Sequence, residues 1–504
     1  MRHFASYSAL LPLLAAVADA ATTILFNGGT IVAFDRQSEG LRVIRNGSLL
    51  VRDDRIAGVY DSAPTDIPTG VEIVDATDKI LTPGFIDTHR HGWQTAFKTL
   101  GSNTSLVEYF GRFGEFASAG KWTAEDVYNS QLAGLYEAVN SGVTTMLDHA
   151  HHTWDRTTSN AGLRASIDSG SRAFWAFTFH NTSTTDIPAL TRVFREIAQN
   201  ASFEGSPTTL GISYDAWGPN PNINEVNTIM DLAKEFNVSV ITTHSLQGPW
   251  GITNSPEDLH ALNYLNISIP IVFSHASFLT AQGASLLRST NQYISITPES
   301  EMHYGHTHPV SYHIQDQAAL GVDTHFTFST DILTQARIWL QQARYEAFED
   351  VLDRWELPAN NPMSVNQAFL LATRNGGLAL RRDDLGVIAE GAKADIVVWD
   401  GGSPALLGWT DPVAAVMLHA SVGDVESVVV DGKWVKKEGK LTVGDYKSVR
   451  AKFLQTAKRI QDIWRNTPLP SPEDMQAPFP YPIGKAKTAD VKRGDGDGYG
   501  EVHI

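Results

Sequence analysis

Cysteine is absent from the 504-residue chain, and this absence restricts the chemistry that the protein can use. Without disulfides, the burial of apolar side chains has to supply the stability. Without thiolates, a cysteine nucleophile and a cysteine-ligated metal are both excluded. Any metal site must therefore be built from histidine, aspartate and glutamate. With 42% hydrophobic residues, the chain is long enough to bury a large core.

Positive charge is also scarce, because 39 lysine and arginine residues stand against 56 aspartate and glutamate residues, a formal net charge of −17. Nucleic acids and anionic membrane surfaces repel such an acidic chain. After the N-terminus, no run of apolar residues is long enough to span a bilayer. We therefore expect a small-molecule substrate as the partner, and neither a nucleic acid nor a membrane.

The first twenty residues have the composition of a cleavable secretory signal. Arg2 supplies a basic start, a short apolar centre follows, and Ala18-Asp19-Ala20 provides a small-residue cleavage site. Six N-glycosylation sequons agree with that route, although sequons also arise by chance. They begin at Asn46, Asn103, Asn181, Asn200, Asn237 and Asn266. The sequence thus predicts a glycoprotein that is secreted or stays in the lumen of the secretory pathway.

Short β-rich runs occur near both ends of the chain. Residues 21–82 contain several of them, separated by turn residues, and similar runs return within residues 384–442. We interpret the two segments as one small antiparallel β-sandwich domain that both chain ends build together. Two separate β modules are the less economical alternative. Residues 443–467 then predict a C-terminal helix, and residues 468–504 a Pro-rich and Gly/Asp-rich tail.

Residues 83–383 alternate between short apolar strands and helix-like stretches. The predicted strands are 85–88, 144–148, 172–179, 210–214, 239–243, 269–273, 293–296 and 324–329. The predicted helices between them include 124–140, 224–236, 280–289 and 333–352. Eight such alternations predict an α/β fold, a (β/α)8 TIM-type barrel. An open doubly wound sheet is disfavoured because no Gly-rich nucleotide fingerprint follows the early strands.

Histidine or aspartate follows most of the predicted strands. His89 and His91 close the first strand and face the same side, because side chains alternate along a strand. Alone, such a pair is as consistent with two surface histidines as with a metal chelate. The later strand ends add His149, His180, His244, His275 and Asp331, and His151 and His152 follow His149 in a loop that either lines the pocket or faces solvent. Since barrel active sites lie at the carboxyl ends of strands, the ordered set predicts a metal site there.

These strand-end motifs resemble those of the metal-dependent amidohydrolase superfamily. The similarity is carried by Pro83-Gly84-Phe85-Ile86-Asp87-Thr88-His89-Arg90-His91, by His244, by Ser274-His275 and by Ser329-Thr330-Asp331. It spans roughly residues 22–440, and within the superfamily the chain is similar to the branch of nucleobase and aminoadenosine deaminases and triazine hydrolases. The resemblance implies a hydrolase for small molecules and, as is frequent in this family, a homodimer.

The resemblance also implies one divalent metal, held by His89, His91, His244 and Asp331. We expect zinc, with iron as the alternative, because histidine and aspartate ligands suit both metals. The fourth predicted strand offers no lysine that carbamylation could turn into a bridge between two metals. Asp331 would accept a proton from the activated water. His275 would orient that water and stabilise charge at the attacked carbon.

One position departs from the deaminase pattern. Deaminases of this branch carry a glutamate three residues after the fifth-strand histidine, whereas this chain has Gln247. An amide cannot act as a general acid, so deamination by that route is in doubt. We expect Glu301 or Glu299, with help from His303, to supply the missing proton. The alternative is that all three are ordinary loop residues.

Four side chains are expected to contact the substrate. Gln94 matches a substrate-contacting glutamine of the triazine hydrolases, and Gln247 and His303 lie on loops that would overlook the metal. Trp93 belongs to a set of strand-end aromatic residues that either stack on a flat heterocycle or pack the end of the barrel.

Together these observations predict a metal-dependent hydrolase that acts on a non-peptide carbon–nitrogen bond of a cyclic amide, an amidine or an aromatic amine. One alternative keeps the metal and changes the reaction, either to hydrolysis of another leaving group or to a lyase-type step on an aryl or secondary-metabolite substrate. A second alternative is a barrel that binds without turnover. The Gln247 change favours that alternative weakly, and the intact histidines disfavour it.

Overall fold

The computed structural model describes residues 23–67, 69–307, 309–468, 470 and 484–486. The predicted signal, residues 1–20, and most of the predicted tail lie outside the described residues. Within the described ranges, no helix combines the length and the hydropathy that a membrane span requires.

The strands of the described residues belong to two sheets. In chain order they are β1 (Thr23–Asp35), β2 (Gly40–Arg52), β3 (Arg55–Tyr60), β4 (Glu72–Asp75), β5 (Lys79–Pro83), β6 (Phe85–Arg90), β7 (Val143–Ala150), β8 (Arg172–Phe179), β9 (Thr209–Tyr214), β10 (Ile241–Leu246), β11 (Ile271–Ser277), β12 (Tyr293–Ile296), β13 (Ala318–Leu320), β14 (Ile396–Asp400), β15 (Val425–Val430), β16 (Lys433–Lys437) and β17 (Lys440–Leu441).

The α-helices lie mainly between the strands of the second sheet. They are α1 (Leu106–Arg112), α2 (Glu115–Ser118), α3 (Ala124–Asn140), α4 (Arg156–Asp168), α5 (Ile187–Asn200), α6 (Ile223–Glu235), α7 (Pro256–Ala261), α8 (Ala281–Thr290), α9 (Pro298–Tyr304), α10 (Ile332–Leu352), α11 (Val365–Ala372), α12 (Arg374–Ala379), α13 (Pro412–Ala414) and α14 (Tyr446–Asn466).

Strands β6 to β13 form a parallel sheet in which each strand pairs with its neighbours in the chain. The last strand returns to the first through a bridge between Arg90 and Asp323 and through the Val322 amide, which donates to the His89 carbonyl oxygen at 2.9 Å. The helices cover the outside of this nearly closed ring. Strands such as β7 and β8 are buried along their whole length, as strands covered on both faces are. The predicted (β/α)8 barrel is confirmed.

The eighth barrel strand is not the one that the sequence indicated. Strands β8 and β12 have the predicted bounds, but residues 324–329 form turns, and β13 (Ala318–Leu320) completes the ring. That strand is only three residues long and consists of two alanines and a leucine, so it carries little β-propensity. Residues 324–329, by contrast, include the β-branched and aromatic types that favour strands. The error moves the carboxyl end of the eighth strand upstream, from Asp331 to Asp323.

Nine strands from the two chain ends form the other sheet. Strand β14 pairs antiparallel with β5, which places Ile396 opposite Pro83 and Val398 opposite Leu81 and so joins the C-terminal strands to the N-terminal ones. The domain built from both ends is therefore present. Its sheet is mixed rather than purely antiparallel, because β4 and β5 run parallel to β1.

Helix α14, which the sequence predicted at residues 443–467, packs beside the loop that follows β6. Trp464 donates from Nε1 to the Arg112 carbonyl oxygen at 2.7 Å, and its ring lies 4.5 Å from that of Phe97. Gln461 donates to the Ala96 carbonyl oxygen at 3.1 Å. Because this loop begins at His91, the C-terminal helix fixes the backbone next to the predicted metal site.

Candidate metal-dependent active site

Three histidines converge at the carboxyl end of the barrel, two from the end of β6 and one from β10. In each of them, Nδ1 is engaged by a neighbouring oxygen. His89 Nδ1 lies 2.8 Å from Ser274 Oγ, His91 Nδ1 2.9 Å from the His149 carbonyl oxygen, and His244 Nδ1 2.8 Å from Asp215 Oδ2. Since a carbonyl and a carboxylate can only accept, the Nδ1 atoms of His91 and His244 carry the protons. Their Nε2 atoms are left as electron-pair donors.

Asp323, three residues after the end of β13, adds a carboxylate to the three histidines. Oδ1 lies 3.4 Å from His89 Nε2 and 3.2 Å from His91 Nε2, while Oδ2 accepts a 2.5 Å hydrogen bond from Ser300 Oγ. Burial alone would raise the pKa of Asp323, but the side chains of His89 and His91 beside it hold that pKa well below its usual range. The carboxylate therefore stays ionised, which is the state that a metal ligand needs.

The four side chains fit a divalent cation. His91 Nε2 and His244 Nε2 face each other at 3.3 Å, and two lone pairs at that distance repel unless a proton or a metal cation lies between them. His89 Nε2 is buried and makes no well-aligned hydrogen bond to any described residue. Three imidazole nitrogens and one carboxylate oxygen form a donor set that zinc and other first-row metals accept. The geometry thus supports a single metal at this point.

Asp331, the aspartate that the sequence assigned as ligand and base, lies elsewhere. It is the N-cap of α10, where Oδ1 accepts from the Thr334 amide at 2.6 Å and Oδ2 from Thr334 Oγ1 at 2.9 Å. In the part of the chain that the structure describes, Asp331 belongs to neither group of side chains that could hold a metal. We correct the assignment to Asp323. Both aspartates lie in the segment that follows β12, and the closure of the sheet brings Asp323 to the histidines.

His275 lies next to the converging donors, as predicted for a residue that acts on the water. Its ring centroid is 5.1 Å from that of His89, and its Nδ1 lies 2.8 Å from Thr297 Oγ1. The backbone of His275 has a φ of 69°, and that of Asp323 a φ of 67°. Left-handed backbone in non-glycine residues is uncommon and clusters at functional sites. The function of His275 at the water stays a prediction.

The two predicted acids occupy different positions on α9. Glu301 is buried behind His275: Oε1 accepts from the Thr297 amide at 2.9 Å and lies 3.7 Å from His275 Nδ1. Burial raises the pKa of Glu301 to about 8. Glu299 turns away toward α10, where Oε2 accepts from Gln335 Nε2 at 2.9 Å and from Ser329 Oγ at 2.5 Å. Its contacts make Glu299 a residue that anchors α9 to α10.

The predicted substrate contacts fall into two groups. Gln94 and Trp93 are fully buried beside the site. The Gln94 amide nitrogen donates to Tyr109 Oη at 2.9 Å, and its Oε1 has no partner among the described residues. Trp93 packs in an aromatic cluster and donates from Nε1 to His151 Nδ1 at 2.9 Å. This position makes Trp93 a support for the histidines, and the prediction that it touches substrate is replaced by that structural function.

Gln247 and His303 are less enclosed. Gln247 follows β10 and is half-buried, and within the described chain its Nε2 has no hydrogen-bond partner. The same holds for Nε2 of His303, whose ring packs 5.0 Å from that of Tyr304 and 5.8 Å from that of Phe328. Both side chains therefore keep a polar atom available, and their contact with substrate stays a prediction.

Two carboxylates near the site were not found from the sequence. Asp215 follows β9 and accepts from His244 Nδ1 at 2.8 Å and from the His244 amide at 2.7 Å, so it orients that ring. Glu115 begins α2. Burial raises the pKa of Glu115, and its charge interacts with His244, Asp215 and His91. The signal for Asp215 was its position directly after a predicted strand, whereas Glu115 lies on a four-residue helix that no periodicity reveals.

The histidine-rich segment after β7 is part of the interior. His149, His151 and His152 are all buried, so the solvent-facing interpretation is wrong. The ring centroids of His149 and His244 are 4.2 Å apart, and those of His151 and His91 are 4.0 Å apart. His180, after β8, contacts the Thr153 carbonyl oxygen through Nε2 at 3.3 Å. The site is thus surrounded by more imidazoles than the predicted ligand set contains.

Comparison with known proteins identifies the family. The sequence model described as the amidohydrolase family matches residues 80–435. The chain belongs to the amidohydrolase family. The matched region contains the three histidines and Asp323. The predicted resemblance and the predicted class of enzyme, a metal-dependent hydrolase of this type that acts on carbon–nitrogen bonds, are confirmed.

The relatives of this amidohydrolase are distant. A 5'-deoxyadenosine deaminase of Methanothermobacter thermautotrophicus is 25% identical over 419 residues, which cover 81% of this chain and 93% of that protein. A 5-methylthioadenosine/S-adenosylhomocysteine deaminase of Pyrococcus horikoshii is 24% identical over 452 residues, 86% of this chain and 99% of that protein.

Solved structures share the fold of this amidohydrolase. An atrazine chlorohydrolase from Arthrobacter aurescens, complexed with zinc, superimposes with a TM-score of 0.73 at 17% identity and covers 86% of this chain and 100% of its own. An adenosine deaminase from Xanthomonas campestris with bound zinc gives a TM-score of 0.73 at 18% identity, covering 88% and 99%. The expected secretion, glycosylation and homodimer stay predictions.

Proposed function

We propose that this amidohydrolase hydrolyses a carbon–nitrogen bond of a flat nitrogen-containing ring compound, either displacing the nitrogen substituent of an aromatic amine or amidine or opening the ring of a cyclic amide. The observation that carries this proposal is the convergence of three imidazole Nε2 atoms and the Asp323 carboxylate, with His275 beside them. The names of the relatives, deaminases of adenosine derivatives and a hydrolase of triazines, support a ring of this kind.

The reaction needs a nucleophile, a base and a leaving group that can depart. His89, His91, His244 and Asp323 would hold a divalent metal, zinc or alternatively iron, which would serve as a Lewis acid toward a water molecule. Asp323, ionised and next to His89 and His91, accepts the proton of that water. His275 donates a hydrogen bond to the oxygen that gains charge. A carbon–oxygen bond forms, the carbon–nitrogen bond breaks, and the proton held by Asp323 passes to the nitrogen. That nitrogen departs as ammonia or an amine or, in a cyclic amide, remains as the amino group of the opened ring.

A proton donor for the ring is the one component that Gln247 cannot provide. Glu301 is 3.7 Å from His275 Nδ1 and is protonated at neutral pH, because burial raises its pKa to about 8. It therefore acts on the reaction through His275. Glu115, at the start of α2, also has a pKa raised by burial, and its charge interacts with His244 and His91. We assign Glu301, acting through His275, as the group that replaces the missing acid.

A second candidate function is hydrolysis of a ring substituent other than nitrogen, such as a halide. The specific observation in its favour is Gln247, because loss of a halide does not require a leaving group to be protonated. The atrazine chlorohydrolase among the structural neighbours is consistent with this alternative.

The test is a substrate panel with the purified, metal-loaded protein. Aminated heterocycles, lactams, hydantoins, anilides and chlorinated heterocycles are assayed for ammonia, ring opening and chloride. Ammonia or ring opening supports the proposal, and chloride release alone supports the alternative. Metal content well below one equivalent, with none taken up on reconstitution and no turnover, would instead indicate a barrel that only binds. A metal-depleted sample serves as the control.

We also propose that the protein passes through the secretory pathway. All six sequon asparagines have exposed side chains: Asn46, Asn103, Asn181, Asn200, Asn237 and Asn266. Glycosylation needs such exposure. Removal of N-glycans from the natively produced protein should lower its apparent mass, and N-terminal sequencing should begin after Ala20. An intact Met1 and an unchanged mass would contradict this proposal without affecting the enzymatic one.

A further inference from the structure

His149 is a buried histidine at the metal site that the assigned ligand set does not use. It lies near the end of β7 and is fully buried. Neither of its ring nitrogens has a hydrogen-bond partner among the described residues. Nε2 lies 3.3 Å from Asp215 Oδ2, but without the alignment of a hydrogen bond. A buried imidazole with two unsatisfied nitrogens costs free energy unless something else pairs with it.

The spacing of the donors shows what that partner is. One ring nitrogen from each of His89, His149 and His244 lies within 4.8 Å of the other two. Donor atoms of His89, His91 and Asp323 satisfy the same criterion. Zinc–nitrogen bonds are about 2.1 Å long, so two nitrogens on one ion lie at most about 4.2 Å apart. Relative to His89 and His244, the His149 nitrogen therefore exceeds the limit for a shared ion by no more than about 0.6 Å, and a small movement of its ring would bring it to an ion that those two residues hold.

The two overlapping groups describe one ion rather than two. Their common member is His89, and its Nδ1 is taken by Ser274 Oγ at 2.8 Å. Only Nε2 of His89 is left, and one imidazole lone pair binds one metal. A pair of ions that share His89 through Nε2 is thus excluded on chemical grounds. The chain also supplies no cysteine that could bridge two ions.

We propose that His149 is a fifth protein ligand of this single metal, in addition to His89, His91, His244 and Asp323. The proposal rests on the metal site of the proposed function and is independent of which reaction takes place. The competing explanation is that His149 only supports Asp215. Asp215 already accepts from His244 Nδ1, from the His244 amide and from Thr243 Oγ1 at 3.0 Å, so its oxygens are satisfied without His149.

The experiment counts coordinated histidines in the full-length protein loaded with Co²⁺. Each coordinated imidazole gives one strongly shifted, exchangeable ring N–H proton resonance. We expect four such resonances in the natural protein and three after His149→Gln. The matched control is His152→Gln, because His152 is equally buried, also has two unpartnered ring nitrogens, and belongs to neither donor group within the described residues. It should retain all four.

Chelator competition with Zn²⁺ provides a second measurement. His149→Gln should weaken zinc binding at least tenfold, whereas His152→Gln should stay within twofold of the natural protein. Asp215→Asn, which removes charge without removing volume, distinguishes the competing explanation. If His149→Gln and Asp215→Asn weaken binding equally and neither changes the resonance count, His149 is only a partner of Asp215 and the proposal is overturned.

The count in the natural protein decides the question even if His149→Gln does not fold. Three shifted resonances in the natural protein overturn the proposal, and four support it. Three resonances together with turnover on the substrate panel would overturn only the proposal for His149 and leave the proposed function intact. The absence of any bound metal would contradict both proposals. The outcomes of the two proposals are therefore separable.

Discussion

The two ends of the barrel both bury ionisable side chains, and they differ in how those side chains are paired. At the carboxyl end, His89, His91 and His244 direct nitrogens toward Asp323 and toward one another. Several donor atoms there have no hydrogen-bonded partner in the described chain, among them Nε2 of His89 and both ring nitrogens of His149. At this end, therefore, several imidazole nitrogens are not paired with the acidic side chains around them.

At the other end, around the start of β8, the charges neutralise one another. Arg172 donates to both oxygens of Asp395, at 3.0 and 3.1 Å, and to Asp431 at 2.7 Å. Lys393 also donates to Asp431, at 2.8 Å, and to Asp54. Burial alone would lower the pKa of Arg172, but the carboxylates of Asp395 and Asp431 raise it. This network connects the barrel to the loops of the nine-stranded sheet.

The difference shows how burial separates a structural cluster from a functional one. A buried ion pair that is fully satisfied holds two domains together and needs nothing from outside. A buried cluster of polar nitrogens that cannot form hydrogen bonds with one another is stable only when a cation or a substrate pairs with them. The comparison therefore predicts opposite responses to mutation and to metal removal at the two ends.

The largest expected effect is at Asp323. Asp323→Asn should lower kcat/KM at least about 1,000-fold, roughly 4 kcal/mol, because it removes the base and a charged ligand while preserving the side-chain shape. The measurement is steady-state kinetics on the substrate that the panel identifies. Asp331→Asn is the matched control, since asparagine also caps a helix, and it should retain activity within about threefold. Equal losses in the two variants would contradict the assignment of Asp323.

The second effect is on stability at the opposite end. Arg172→Met should destabilise the protein by about 3 kcal/mol, because it leaves the buried Asp395 carboxylate without its cation and leaves Asp431 with Lys393 alone. Metal content should be unchanged. Denaturant unfolding measures the loss, and Arg288→Met is the control, because the Arg288–Asp316 pair is exposed and should contribute less than about 1 kcal/mol. A drop in bound metal after Arg172→Met would show that the two ends are coupled.

Metal removal should destabilise the protein by a comparable amount. With free metal at 100 times its dissociation constant, binding stabilises the native state by about 2.7 kcal/mol. Chelation should therefore lower the unfolding midpoint of the natural protein and of Arg172→Met alike. In Asp323→Asn the shift should be much smaller. Metal analysis has to confirm that the chelator removed the metal. If the unfolding midpoint of the natural protein is then unchanged, the metal-ligand atoms at the carboxyl end are stable without a cation.

The smallest effect concerns Glu301 and pH. Burial raises its pKa from 4.5 to about 8, so between those values the folded state keeps a proton that the unfolded state has lost. Stability contributed by this group is complete below pH 4.5 and disappears as the pH rises to about 8, at up to roughly 1.4 kcal/mol per pH unit. Relative to Glu301→Gln, the natural protein should lose unfolding free energy across this interval. Parallel pH profiles for the two proteins would contradict the raised pKa.

Much of the fold followed from local patterns. Strand β8 and helix α3 have the bounds that the sequence predicted, because one is a continuous apolar run and the other begins with a capping Thr123 and keeps one buried face. His89 and His91 could be placed on one side of a strand by alternation alone. Strand β13 could not be found, because two alanines and a leucine give no distinctive period. Because this strand was missed, the end of the eighth strand was predicted at the wrong residue, and Asp331 was assigned as the acidic ligand in place of Asp323.

The sequence by itself determined the chemistry that is available: no cysteine, histidines at strand ends, and a barrel on which to arrange them. Only the tertiary structure decided which aspartate joins them, because Asp323 reaches His89 through the closure of the sheet between β13 and β6. It also brought His149 and Asp215 to His244 and buried Trp93 against His151. Alternation along a strand is a local property, whereas these contacts join residues far apart in the chain and depend on how the whole ring of strands closes.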